Sequence, residues 1–121
     1  MSEDEPRLWF KIVIPGKGAI GPGKIALLRA VDDAQSISGA ARGLGMSYRR
    51  AWTLIDEIKR ITSTEVVETQ AGGAEGGGAK LTPGGRKLVE TYDRIARKAE
   101  KAAAEELDTL TALADTTQET D

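Results

Sequence analysis

The sequence predicts a mainly α-helical domain with a small β-hairpin, closed by one long helix. Three observations carry this expectation. Two stretches of helical periodicity are separated by about three residues that include Gly45. A glycine-tipped pair of strand-like runs follows them directly. The last apolar repeat, from Leu88 onward, is much longer than a small core requires.

Residues 8–14 alternate, with Leu8, Phe10, Ile12 and Ile14 on one face and Trp9, Lys11 and Val13 on the other, as a strand ended by Pro15 and Gly16 would. A glycine-rich link leads to Pro22, which suits a first helical turn, and Ile25, Leu27, Leu28 and Val31 recur at helical spacing up to Asp33. Ser36 or Ser38 can cap a short second helix through Ala40, Ala41 and Leu44, because a serine oxygen accepts a bond from an otherwise unpaired N–H there. Gly45 breaks it. Ser47 is the capping candidate for a third helix, with Ala51, Ile55 and Ile58, joined by Trp52 and Leu54, on its buried face to about Ile61.

Val66 and Val67 begin a strand, residues 72–78 are almost all glycine, and Lys80 and Leu81 return as a second strand. Thr82 and Pro83 then signal a helix start, and Leu88, Tyr92, Ile95, Ala99, Ala103, Leu107 and Leu110 follow at steps of three or four with no further proline. A helix-turn-helix followed directly by a hairpin is the winged arrangement. The expected organisation is therefore a winged helix-turn-helix at 8–82 and a long dimerisation helix at 83–114. Hydrophilic ends at 1–7 and 115–121 are expected to be disordered.

The net charge of −2 conceals a separation along the chain. All 17 Lys and Arg lie within residues 7–101 with 10 of the 19 acids, a net +7, and the nine remaining acids occupy the two ends. A basic body suits a polyanionic partner. The chain has no cysteine and no histidine, which excludes thiolate chemistry and removes the side chain most used for acid/base work near neutral pH, so an enzyme is not expected. No apolar run approaches the about 18 residues of a membrane span, and the start lacks the basic-then-apolar order of a signal peptide. A cytoplasmic protein without a membrane partner is the expectation.

The central motif is Ser47-Tyr48-Arg49-Arg50-Ala51-Trp52. On a helical projection Arg49, Thr53, Asp56 and Arg60 fall opposite Ala51, Ile55 and Ile58, so a polar edge can enter a groove while the apolar edge packs. Arg49 and Arg50 also stand at the positive end of the helix dipole, a placement that favours an arriving anion. Solvated surface is the plain alternative for both. Trp52, at core spacing, reads as packing. The expected DNA contacts are Ser36, Ser38, Ser47, Tyr48, Arg49, Arg50, Thr53 and Lys80. The wing glycines Gly72, Gly73, Gly76, Gly77 and Gly78 would let backbone approach a duplex closely. Leu88, Tyr92, Ile95, Ala99 and Ala103 are the expected dimer seam.

Residues 18–24 fit G-x-x-x-x-G-K between a strand and a helix. The match fails on chemistry: Ile25 stands where a hydroxyl should hold magnesium, and Pro22 deletes an N–H donor. The adjacent acids Asp32-Asp33, Asp56-Glu57 and Glu105-Glu106 diverge by about 100° on helices, so no metal or other cofactor is expected.

Ser36-Ile37-Ser38-Gly39-Ala40-Ala41 and Met46-Ser47-Tyr48-Arg49-Arg50-Ala51-Trp52 closely resemble the N-terminal DNA-binding domain of the ModE-type molybdate-responsive regulators. Val67-Glu68, Gly72-Gly73, Gly76-Gly77-Gly78-Ala79 and Leu81-Thr82 continue the resemblance, which covers about residues 8–103. The serine-rich helix start and Leu81-Thr82-Pro83-Gly84-Gly85 are also similar to the LysR-type regulators. The resemblance implies a transcriptional regulator that binds palindromic double-stranded DNA as a homodimer, third helix in the major groove and wing on the flanking backbone. The family's molybdate sensor is a separate C-terminal region, and this sequence ends where it would begin, so molybdate is not expected on this chain. Glu75 departs from the basic residue expected in the wing. The alternative is a protein-interaction module that dimerises with a full-length regulator and modulates it.

Overall fold

Hydrogen-bonded caps set several of the helix boundaries in the computed structural model, which describes residues 6–70 and 78–116. The order is β1 (Ile12–Ile14), β2 (Gly18–Ile20), α1 (Pro22–Ala34), α2 (Ile37–Gly43), α3 (Tyr48–Thr62), β3 (Val67–Gln70), β4 (Gly78–Leu81), α4 (Pro83–Ala102) and α5 (Ala104–Thr116). Their contacts fall into two compact units. The larger is Phe10–Tyr92; the smaller, among the described residues, holds 6–9 with 93–116.

In the larger unit α1 packs on α2 and α2 on α3, around Leu27, Leu28, Val31, Ala51 and Ile58, each fully buried. Pro22 opens α1, where its missing N–H costs nothing, and Gln35 closes it in the left-handed region, with its N–H on the Val31 carbonyl at 2.8 Å. The Gln35 carbonyl in turn accepts from Ala79 N at 3.1 Å, which ties β4 to the end of α1.

β3 and β4 form an antiparallel pair with Val67 opposite Leu81 and Gln70 opposite Gly78. At its base Thr82 is a junction: its hydroxyl donates to the Glu65 carbonyl at 2.6 Å and accepts from Gly85 N at 3.0 Å, which starts α4. Gly85 lies against the Val66 carbonyl so closely that a Cβ there would overlap it.

Several expectations change. The strand predicted at 8–14 is regular only at Ile12–Ile14, although the alternation of half-buried Leu8, Phe10, Ile12 and Ile14 with exposed Trp9, Lys11 and Val13 holds throughout. The expected link after it contains β2, paired with β1 in the register Ile12–Ile20, Val13–Ala19 and Ile14–Gly18, so the described residues form two hairpins rather than one. The long helix is interrupted at Ala103, yet Ala103 N bonds the Ala99 carbonyl at 3.0 Å and Leu107 N the Ala103 carbonyl at 2.9 Å, so helical bonding crosses the break. Asp115 is helical rather than part of a frayed tail.

Tyr92, one of the expected seam residues, is engaged within the larger unit. Its ring stacks on Phe10 at 4.9 Å between centroids, its hydroxyl donates to the Phe10 carbonyl at 2.7 Å, and it is buried in the larger unit. Leu88 is likewise half-buried against that core. In the smaller unit Ile95 is exposed, Ala99 and Ala103 are half-buried, and the Leu8 N–H reaches the Glu100 carboxylate at 3.4 Å. Among the described residues no helix is long and apolar enough to cross a membrane.

Candidate nucleic-acid interface

The candidate site is built on α2, the turn at 44–47 and α3. Ser36 caps α2 by accepting from Gly39 N at 2.9 Å, which satisfies one of the donors a helix start leaves unpaired. After Gly43 the chain turns back on itself, with Leu44 N on the Ala40 and Ala41 carbonyls and Met46 N on Ala41 O at 3.0 Å. Gly45 makes this turn at φ +70, a conformation that favours glycine. Ser47 then caps α3, accepting from Arg50 N at 3.0 Å.

One edge of α3 carries the buried Ala51, Leu54, Ile55, Ile58 and Ile61. The other leaves Arg49, Arg50, Thr53, Asp56 and Arg60 exposed, as a period of 3.6 residues requires. Tyr48, 55% exposed, meets the half-buried Trp52 edge to face, with centroids 6.4 Å apart. Thr53 donates its hydroxyl to the Arg49 carbonyl at 3.0 Å, so its remaining capacity toward the exterior is as an acceptor. Neither the Arg49 nor the Arg50 guanidinium pairs with an acid among the described residues.

α3 therefore gathers Ser47, Tyr48, Arg49, Arg50 and Thr53 onto its first turn and a half. Ser38 is exposed on the first turn of α2, whereas Ser36 is half-buried with its oxygen committed to the cap. Lys80 sits on β4 directly across from Glu68 in the strand register, half-buried, which places an acid beside it. Gly78 is part of β4, while Gly72, Gly73, Gly76, Gly77 and Glu75 lie outside the described residues.

Two cations escaped the expected contact set. Arg42 is exposed in the last turn of α2, and Arg60 continues the polar edge of α3; neither has an acid partner among the described residues. The sequence signal was present for Arg60, which shares the Arg49 face. By contrast Lys59 is taken by Glu65 at 2.6 Å, whose hydrogen bond and negative charge hold the ammonium pKa above its ordinary value. The G-x-x-x-x-G-K stretch is β2 and the start of α1, and Lys24 is engaged with the Ala19 carbonyl at 2.9 Å and Glu57 at 3.4 Å.

Comparison with known proteins follows the same lines. No family model matches the chain. It is 40% identical over 93 residues to the molybdenum-pterin-binding protein MopB of Rhodobacter capsulatus, covering 76% of this chain and 34% of that protein. It is also 40% identical over 81 residues to the DNA-binding transcriptional dual regulator ModE of Escherichia coli K12, covering 67% of this chain and 31% of that one. The chain thus spans about a third of the length of these relatives.

Among solved structures it resembles the full-length LysR-type regulator LysG of Corynebacterium glutamicum, with a TM-score of 0.54 and 22% identity over 80% of this chain and 30% of that one. A second similar structure is the CbnR DNA-binding domain in its DNA complex, with a TM-score of 0.52 and 21% identity over 76% of this chain and 95% of that one. The chain carries a winged helix-turn-helix homologous to that stretch of the ModE-type regulators, with a fold shared by LysR-type DNA-binding domains.

Proposed function

We propose that this chain is a transcriptional regulator that binds double-stranded DNA, as a homodimer on a roughly palindromic operator. α3 enters the major groove, Arg49, Arg50, Tyr48 and Thr53 meet base edges and phosphates, and Ser47 and Ser38 meet the backbone. Half-sites are spaced by about one or two helical turns, as the two-fold symmetry of a dimer demands. The observation that supports this most is the state of Arg49 and Arg50: both are exposed at the positive end of a 15-residue helix, without an acid partner among the described residues. An arginine fork in that position matches the acceptors of a guanine or a phosphate. The relatives named as DNA-binding regulators support the same reading.

The test is binding of the purified chain to genomic fragments at about 0.15 M salt, followed by titration of the selected sequence with wild type and Arg49→Ala. The variant is expected to lose about 1–3 kcal/mol on the selected site and to keep its thermal stability. Equal affinity of the two proteins would remove Arg49 from the interface, and salt-independent binding would remove the phosphate contacts. Salt-independent binding with no selected sequence would favour the second reading, a module that pairs with another regulator; the exposed Ile95, Leu110 and Leu113 of the smaller unit are what that reading would use.

A further inference from the structure

The helix-turn-helix puts an aromatic ring where its own stability has no use for one. Leu44 in the turn, 41% exposed, and Tyr48, 55% exposed, are the large apolar side chains that residues 37–62 leave in water. Tyr48 is the first residue of α3, between the Ser47 cap and the two arginines. Packing does not explain it, since the core face of that helix is already filled by Ala51, Leu54, Ile55, Ile58 and Ile61. Helix stability does not explain it either. An aromatic loses side-chain freedom in a helix, and a first turn gains more from an acid, of which α3 has none there. The Tyr48 hydroxyl has no hydrogen-bond partner among the described residues.

What the fold does supply is a fixed pose. Trp52, about one turn further on and half-buried, meets Tyr48 edge to face, with centroids 6.4 Å apart and ring planes at 77°. The pair restricts the two side-chain torsions of the tyrosine before any partner arrives, so a contact made by its outer side needs little further ordering. The result is a held, largely apolar surface beside Arg49 and Arg50. Those guanidiniums suit guanine edges and phosphates alike. The apolar part of a ring suits neither. Of the groups that the four base pairs present in the major groove, the 5-methyl of thymine is the apolar one.

We propose that Tyr48 is a specificity-determining residue that reads the 5-methyl group of a thymine, its ring packing on the methyl while the arginines take polar neighbours. The proposal rests on the DNA-binding reading above and names the base feature selected at that site. Burying one methyl strengthens binding by about fourfold, and because no phosphate is neutralised that factor does not depend on salt.

The probe is the sequence selected from genomic fragments, remade with each thymine of one half-site replaced in turn by uracil, which lacks only the methyl. The chain should bind one of these probes about fourfold more weakly than the thymine parent, by the same factor at about 0.1 and about 0.3 M salt. Tyr48→Phe keeps the ring and should keep that penalty. Tyr48→Ala should bind the thymine parent more weakly, show no uracil penalty and melt as wild type does, so that ring and methyl are coupled in a double-mutant cycle.

If every uracil probe binds wild type as tightly as the parent does, the proposal is overturned whatever the variants do. A penalty that survives in Tyr48→Ala would overturn it in favour of a change in duplex shape. Parent affinity lost in Tyr48→Phe as fully as in Tyr48→Ala would overturn it by assigning the contact to the hydroxyl. The Arg49→Ala titration judges the DNA-binding reading separately: a loss there beside a flat uracil scan removes only the role of Tyr48, and a selection that yields no sequence removes both.

Discussion

α3 and α5 are both helices with apolar residues at helical spacing, yet they end up in opposite states. α3 buries five residues inside the larger unit, and α5 buries none, with Leu110 and Leu113 more than half exposed. In α3 the polar edge is what the fold leaves over for work, because the apolar edge is spent on the core. In α5 the apolar residues themselves are left over. The contrast teaches that amphipathic periodicity announces a buried face without saying which body buries it. For α3 that body is the same chain, which buries no residue of α5.

The largest expected effect divides the two helices directly. Ile58→Ala removes a fully buried side chain from α3 and should cost about 2–5 kcal/mol by chemical denaturation, while Leu113→Ala should stay within about 0.5 kcal/mol under dilute conditions where dimers are absent. Comparable losses from the two would break the contrast. Next in size is Gly85→Ala, whose added methyl meets the Val66 carbonyl and should cost about 1–3 kcal/mol; an unchanged melt would mean that the start of α4 can shift away from β3 at no cost.

Ser47→Ala leaves the Arg50 N–H without its acceptor and should cost about 1 kcal/mol, with a larger relative effect on DNA affinity than on the fold if the first turn of α3 is the reading surface. The smallest effect concerns Lys59. Its pKa is raised by Glu65, so whatever the pair contributes is fully present below the ordinary lysine value and is lost only as pH rises through the raised one. Because the pair is exposed, the stability difference between wild type and Lys59→Met should be small and flat from about pH 6 to 9, and should decline only once the pH passes the ordinary lysine value of about 10.4. A difference that changed within the flat range would point to another titrating group.

Much of the candidate site was legible because its determinants are local. Ser36 and Ser47 are caps whose partners lie three residues on, Gly45 is the left-handed turn residue, and the two edges of α3 follow from one period. Trp52 at core spacing reads correctly as packing, half-buried against the core. The β1–β2 hairpin was not legible. Three residues, Gly18-Ala19-Ile20, carry no strand signal of their own, and what makes them a strand is pairing with residues 12–14. Gly18 has a further reason invisible in the sequence: a Cβ there would come within 2.9 Å of Ile61 Cδ1.

By itself the sequence determined the caps, the turns, the amphipathic faces and the charge blocks, since each depends on residues within about one or two helical turns of one another. Only the tertiary structure decided that Tyr92 stacks on Phe10, that Thr82 clamps the Glu65 carbonyl, and that β4 hangs from Gln35. Those bonds join segments far apart along the chain. Their partners are chosen by how the whole core closes, and no local pattern encodes that choice.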